Sequence, residues 1–197
     1  MIHLRKLGLK DATAMLEWMH DPDIQQNFQA DMSAKTLVDV QHFIKDAQYH
    51  VTDGSSIHFA IANEQDEYMG TISLKNISLH DKRAEYAISL RKCAQGKGIA
   101  VVATHQLLTL AFQEWMLEKI YLNVLSENQR AIHFYEKCGF VYEGTFRKHM
   151  YLKGNFKDLK WYSILKEEYS YLSQYEILKS QDAYVQLSKM WSKNYTS

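Results

Sequence analysis

Neither sign of charge is in surplus. The chain has 23 Lys and Arg against 23 Asp and Glu over 197 residues, which excludes a strongly basic binder of bulk nucleic acid. Cysteine is scarce too: Cys93 and Cys138 are too few for a disulfide framework and fit a reducing cytoplasm. Long apolar runs are missing. The nearest, Ile99 to Phe112, is broken by His105, Gln106 and two threonines, falls short of a membrane span and reads as a core helix. The first ten residues alternate apolar and basic side chains without the apolar stretch of a signal peptide, so export is not expected. What is present is core material. With 46% hydrophobic and 13% aromatic residues, a chain of this length builds one sizeable domain and is not disordered.

The zero net charge is a sum of unlike parts. Residues 1–10 carry +3, residues 11–67 carry −9, residues 68–160 carry +6, and the remainder is balanced. The acidic stretch contains only Lys35 and Lys45 as cations.

Hydrophobic periodicity gives a mixed order of elements without internal repeats. Ile2 to Leu7 reads as a strand, and Asp11 as the cap of a helix to Met19, stopped at Asp21-Pro22. Ser33 is placed to cap a second helix running to about Tyr49. Ile57 to Ala62, Tyr68 to Ile77 and Ala84 to Leu90 are β-branched or aromatic runs separated by polar turns, the pattern of an antiparallel meander. Then the order changes: a glycine-containing loop (Arg91 to Gly98), a helix to about Trp115, a strand (Lys119 to Leu125) and a helix from Glu127 to Lys137 ended by Gly139. Two strands, near Phe140 to Arg147 and Leu159 to Leu165, close the domain. The tyrosine-rich remainder, with Leu172, Tyr175 and Leu178 at helical spacing, reads as an amphipathic extension.

Two local patterns carry chemistry. Gln95-Gly96-Lys97-Gly98-Ile99-Ala100 opens a helix. Unpaired amides and the positive dipole end at such a position can cradle a pyrophosphate, and glycines let the backbone come close to it. A Walker loop would need Ser or Thr after Lys97, and a dinucleotide fingerprint a third glycine at Val101; both fail. The second pattern is the helix from Asn128. Asn128 and Tyr135 lie seven residues apart, on one face and about 10 Å apart along the axis, where an amide and a phenol could hold two ends of an extended ligand arm. A core role for Tyr135 is the plain alternative. The histidines show no i, i+4 pair and no cysteine partner at zinc spacing, so no metal is expected. His58, His133 and His149 could line a cleft, though an ordinary surface or satisfied role is the simpler reading.

In this order, Gln95-Gly96-Lys97-Gly98-Ile99-Ala100 followed by Asn128-x-x-Ala131-Ile132-x-Phe134-Tyr135-x-x-x-Gly139-Phe140 resembles the GNAT superfamily of acetyl-CoA-dependent N-acetyltransferases. The likeness covers about residues 2 to 168. Glu143-Gly144 and Lys153-Gly154-Asn155-Phe156-Lys157-Asp158 are similar to the branch that acetylates ribosomal-protein N-termini, polyamines and amino sugars. The paired motifs are specific for the superfamily and much less so for the acceptor. One departure is Cys93, where the family often has Gln or Arg.

The resemblance implies an α/β (α+β) fold: a mixed, mostly antiparallel central sheet flanked by helices, over residues 1–168, with a C-terminal helical extension over 169–197. It implies acetyl-CoA as co-substrate, bound through Gln95, Gly96, Lys97, Gly98, Ile99 and Ala100, with Asn128 on the pantetheine or its neighbouring backbone and Tyr135 near the sulfur. Backbone amides near Ser89 or Leu90 would polarise the thioester carbonyl. Tyr135 is the general-acid candidate, and Glu85 the base, acting through water; pairing of Glu85 with Lys82 or Arg83 is the structural alternative. The acceptor would be a small-molecule or peptide amine, and the −9 stretch favours a cationic one by charge complementarity. A phosphate-bearing acceptor would instead meet Arg147, Lys148, Lys153 and Lys157. No nucleic-acid or membrane partner is expected, and a homodimer is the reasonable assembly. A catalytically inactive acyl-CoA sensor is the alternative from a different class.

Overall fold

A computed structural model describes residues 2–26, 28 and 31–169. Seven strands form one sheet in the order β1-β2-β3-β4-β5-β7-β6. They are β1 (His3–Lys6), β2 (Ile57–Ala62), β3 (Tyr68–Ser78), β4 (Arg83–Leu90), β5 (Lys119–Leu125), β6 (Val141–Leu152) and β7 (Asn155–Leu165). All neighbours are antiparallel except β4 and β5. The mixed, mostly antiparallel sheet expected from the sequence is therefore present. The extension expected over 169–197 lies, apart from Tyr169, outside the described residues.

Helices cover both faces, because the strands alternate apolar side chains to either side. On one face α1 (Ala12–Met19) and α3 (Leu37–Asp46) pack Met15, Trp18, Val40 and Ile44 over Ala60 and Tyr68. On the other, α4 (Ile99–Thr109) and α5 (Gln129–Lys137) bury Ala103, Leu107, Leu108 and Ile132 against Ile57, Phe59, Ile72, Leu122 and Ile164. The apolar run from Ile99 to Phe112 is thus core, and among the described residues no helix is long and apolar enough to cross a membrane. At its end α4 widens over Leu110–Glu114, where Trp115 N–H donates to Leu110 O at 3.0 Å, five residues back. Tyr169, 2% exposed, donates to His105 O at 3.1 Å and shares a 2.6 Å bond with Thr109, fastening the segment after β7 to α4.

Several boundaries differ from the sequence reading. Thr36, not Ser33, caps α3: its hydroxyl accepts from Asp39 N–H at 3.2 Å while the Asp39 carboxylate accepts from Thr36 N–H at 2.8 Å, a reciprocal capping box. Ser33 instead donates to Asp31. Asp11 makes no side-chain cap bond to α1. Its buried carboxylate takes Arg5 at 2.7 and 2.9 Å and Gly8 N–H at 2.8 Å. Pro22 starts the short helix α2 (Pro22–Gln25), where a missing N–H costs nothing. The closing strands are longer than expected and form a hairpin turned at Lys153 and Gly154, with φ of 49° and 83°. Positive φ at both turn residues matches the twist of a two-residue hairpin.

Candidate active site

The parallel ladder between β4 and β5 is brief. Arg83, Ala84 and Glu85 pair with Lys119, Ile120 and Tyr121, and pairing then stops. Beyond Glu85, β4 keeps β3 on one side, Ser89 opposite Thr71 and Leu90 opposite Gly70, and has no strand partner on the other. The divergence opens a cleft of about 520 Å³ through the sheet. Its closeness to β3 depends on Gly70, where a methyl group would lie 2.3 Å from Ser89 O.

Glu85, Ser89, Asn128 and Tyr135 all line this cleft. Leu90 and residues 95–100 do not; they follow β4 past the fork, and Gln95 Nε2 reaches back to Leu90 O at 3.5 Å. Gly96 and Gly98 both have φ of 74°, and a side chain at either would point into open space. The amides of residues 96–100 donate no backbone hydrogen bond among the described residues, and Gly98 is the N-cap of α4. An exposed row of free N–H groups at a helix start fits the phosphates of a CoA-type ligand.

Asn128 caps α5, its Oδ1 accepting from Ala131 N–H at 3.1 Å. Its amide nitrogen makes no bond among the described residues, leaving a donor at the cleft wall. Tyr135 sits edge-on to Tyr86, with ring centroids 6.1 Å apart, and against Phe140. Its hydroxyl has no partner among the described residues. Burial, with Cys138 adding to it, pushes this phenol up to about 12. Tyr86, by contrast, is fully buried and shares a 2.7 Å bond with Thr104.

Glu85 stands at the fork. One oxygen meets Lys75 Nζ at 3.2 Å and Asn123 Nδ2 at 3.5 Å; the other accepts from Asn76 Nδ2 at 2.7 Å. Pairing with Lys82 or Arg83 is not found, because Lys82 turns to Glu118 and Arg83 to Asp81. The cross-strand position of Lys75, directly opposite Glu85, decides the partner.

Sequence reasoning undervalued His58 and missed Ser73, Lys75 and Lys35. His58 pairs with Ser73 across β2 and β3, its Nδ1 sharing a 2.7 Å bond with the Ser73 hydroxyl, and Phe43 packs edge-on at 4.8 Å. Burial and then the nearby Lys75 lower its imidazole to about 4, so it is neutral at pH 7. Alternation along β3 was the available signal, since Thr71, Ser73 and Lys75 recur at every second position between Ile72 and Leu74 and fall on one side of the strand. Over this face lie Trp18 and Phe28, stacked at 5.5 Å, with Met32 and Lys35.

The acids of the −9 stretch are largely spent elsewhere. Asp11 and Asp66 meet Arg5, Glu17 meets Arg91 and Asp23 meets Lys92. Asp39 alone of that stretch lines the cleft. The regional charge contrast joins segments of this chain to one another.

Residues 2–141 match the acetyltransferase (GNAT) domain family. The chain is 34% identical over 120 residues to a spermidine N(1)-acetyltransferase of Vibrio cholerae, covering 61% of this chain and 69% of that relative. It is 35% identical over 100 residues to a putative ribosomal N-acetyltransferase of Bacillus subtilis, covering 51% and 55%. A crystal structure of spermidine N-acetyltransferase from Vibrio cholerae in complex with CoA and spermine superposes with a TM-score of 0.76 at 27% identity, covering 86% of this chain and 98% of that one. With the split sheet, the glycine loop and a family match over most of its length, the chain belongs to the GNAT acetyltransferases.

Proposed function

We propose that the protein transfers an acetyl group from acetyl-CoA to a small primary amine by direct attack within a ternary complex. The observation that carries this reading is the meeting of Glu85, the unpaired side of β4 near Ser89, and the Tyr135 hydroxyl around one cleft at the fork of the sheet. The relatives named as spermidine N-acetyltransferases support an amine acceptor.

Acetyl-CoA supplies the activated acyl group as a thioester. The amides of residues 96–100 hold its phosphates, with Lys97 adding charge, and the free amide of Asn128 faces the arm. Backbone N–H groups of β4 near Ser89 and Leu90, without a strand to bond on the cleft side, meet charge developing on the carbonyl oxygen. Much of the gain comes from holding the reactants together.

An alkylamine reaches the cleft as an ammonium ion and must lose a proton. Glu85 takes it through water. Each carboxylate oxygen has two lone pairs, so the contacts with Lys75, Asn123 and Asn76 leave room for one more donor. At the other end, Tyr135 keeps its proton throughout the neutral range, as its pKa of about 12 requires. Complete transfer from such a phenol to a thiolate, whose conjugate acid is the stronger acid, is uphill. Its part is therefore to donate a hydrogen bond to the departing sulfur, the proton following late.

Tyr135→Phe tests this. In an enzyme, kcat should fall about 10²-fold with CoA affinity unchanged by calorimetry. An inactive acyl-CoA sensor would show no acceptor-dependent turnover in either form, and that outcome would sink the proposal.

A further inference from the structure

A phenol that donates to one sulfur atom has to be aimed, and no hydrogen bond among the described residues aims Tyr135. Its direction is set by the rings around it: Tyr86 at 6.1 Å with planes 86° apart, Phe140 at 6.0 Å and the adjacent Phe134 at 5.1 Å. The two phenylalanines have no polar atom to fix them. Tyr86 does, through Thr104 on α4.

That attachment has one sense. Thr104 Oγ1 lies 2.7 Å from Ala100 O, which can only accept, so the threonine proton goes there. The lone pairs of Thr104 Oγ1 then receive the Tyr86 proton across the second 2.7 Å contact. In the reverse arrangement Tyr86 would hold a buried proton with no acceptor among the described residues, a costly state. Tyr86 is 3% exposed and Thr104 0%, so bulk water does not compete. Burial also pushes the Tyr86 phenol well above its ordinary range, so it keeps the proton it donates. The relay therefore runs from Tyr86 through Thr104 to Ala100 O. Its far end lies in the first turn of α4, within the stretch proposed to hold the CoA phosphates.

Resting on the acetyl-transfer reading, we propose that Thr104 and Tyr86 are positioning residues. Their relay fixes the Tyr86 ring, and that ring aims the Tyr135 hydroxyl at the sulfur of a CoA whose phosphates are held at the relay's other end. Both hydroxyls are committed to the relay, so neither acts on the reacting atoms directly.

Thr104→Val keeps the side-chain shape and deletes the relay. Tyr86→Phe deletes it from the other side and leaves no buried donor unpaired, which covers the case of a poorly folded Thr104→Val. Each should lower kcat about tenfold with KM for acetyl-CoA unchanged, and Thr104→Ser should restore it. In a Tyr135→Phe background neither substitution should slow turnover further, since residues acting through one group are not additive. A second readout needs no turnover. A hydrogen bond from Tyr135 lowers the pKa of the bound CoA thiol, read as the thiolate absorbance of the CoA complex minus that of the desulfo-CoA complex, a difference that cancels Cys93 and Cys138. Thr104→Val and Tyr86→Phe should raise that pKa as Tyr135→Phe does. Equal losses of kcat in both backgrounds, or an unchanged kcat and thiol pKa, overturn the proposal. If no amine is turned over yet all three substitutions raise the thiol pKa alike, acetyl transfer falls and the positioning role stands. If Tyr135→Phe leaves the thiol pKa where it was, there is nothing for the relay to aim and the proposal falls.

Discussion

At the scale of single residues, His58 couples the cleft to acid stability. Its folded pKa, about 4, is below the 6.5 of an unfolded histidine. On acidification the unfolded chain takes up the proton first, so stability is intact above pH 6.5 and declines as pH falls towards 4. The full contribution is at most about 3 kcal/mol. His58→Gln should flatten this part of the profile, read as the change in urea midpoint between pH 7 and pH 4.5. A decline as steep as in the wild type would assign the acid sensitivity elsewhere. Tyr135 behaves oppositely, staying in one protonation state through the whole range. Residue-level legibility followed sequence distance. Asn128 and Tyr135 belong to one helix and could be paired by counting turns, whereas His58–Ser73 and Lys75–Glu85 meet only through strand register.

At the scale of elements, the edge of the cleft depends on how closely β3 approaches β4. A methyl group at Gly70 would lie 2.3 Å from Ser89 O and 2.7 Å from Leu90 Cδ2, so the end of β4 must move. Gly70→Ala should cost about 1–3 kcal/mol in stability and lower kcat/KM about tenfold or more by misplacing the β4 amides. Gly144→Ala, with nothing within 4 Å, is the control that should change neither. An active, stable Gly70→Ala would show that the approach is slack. Elements with a buried face were legible: Ile57–Ala62 and Lys119–Leu125 have the bounds that their apolar pattern gives. The outer half of the β6–β7 hairpin was not. Its residues around Lys148, His149 and Asn155 are exposed and polar, and backbone pairing through Met150–Lys157 and Leu152–Asn155, which leaves no trace in hydropathy, extends the strands. The cap of α3 was misplaced because Ser33 and Thr36 are both good caps, and only the Asp39 bond distinguishes them.

At the scale of the whole molecule, the backbone pairing of β4 with β5 is a three-pair ladder, and residues of helices α4 and α5 pack in the core cluster against the sheet. CoA bound by residues 96–100 on one side and Asn128 on the other should tie the two parts together. At a CoA concentration of 100 times Kd the gain is about 2.7 kcal/mol, a rise in Tm of roughly 5–10 °C for a domain of this size. Calorimetry with and without CoA reads it directly, and no shift would remove the loop from the ligand. The regional charge contrast in the sequence was real, yet its meaning was architectural. Arg5, Arg91 and Lys92 are set against acids of the first helices and turns.

That short ladder also divides responsibility along the chain. On the proposed reading Glu85 and the β4 amides belong to the strand on one side of the fork and Asn128 and Tyr135 to the chain that follows β5, so neither portion would hold a working set of groups. Damage to the packing of one portion would then silence intact chemistry in the other. Loss of activity in a variant is therefore no measure of how near the altered residue lies to the reacting atoms.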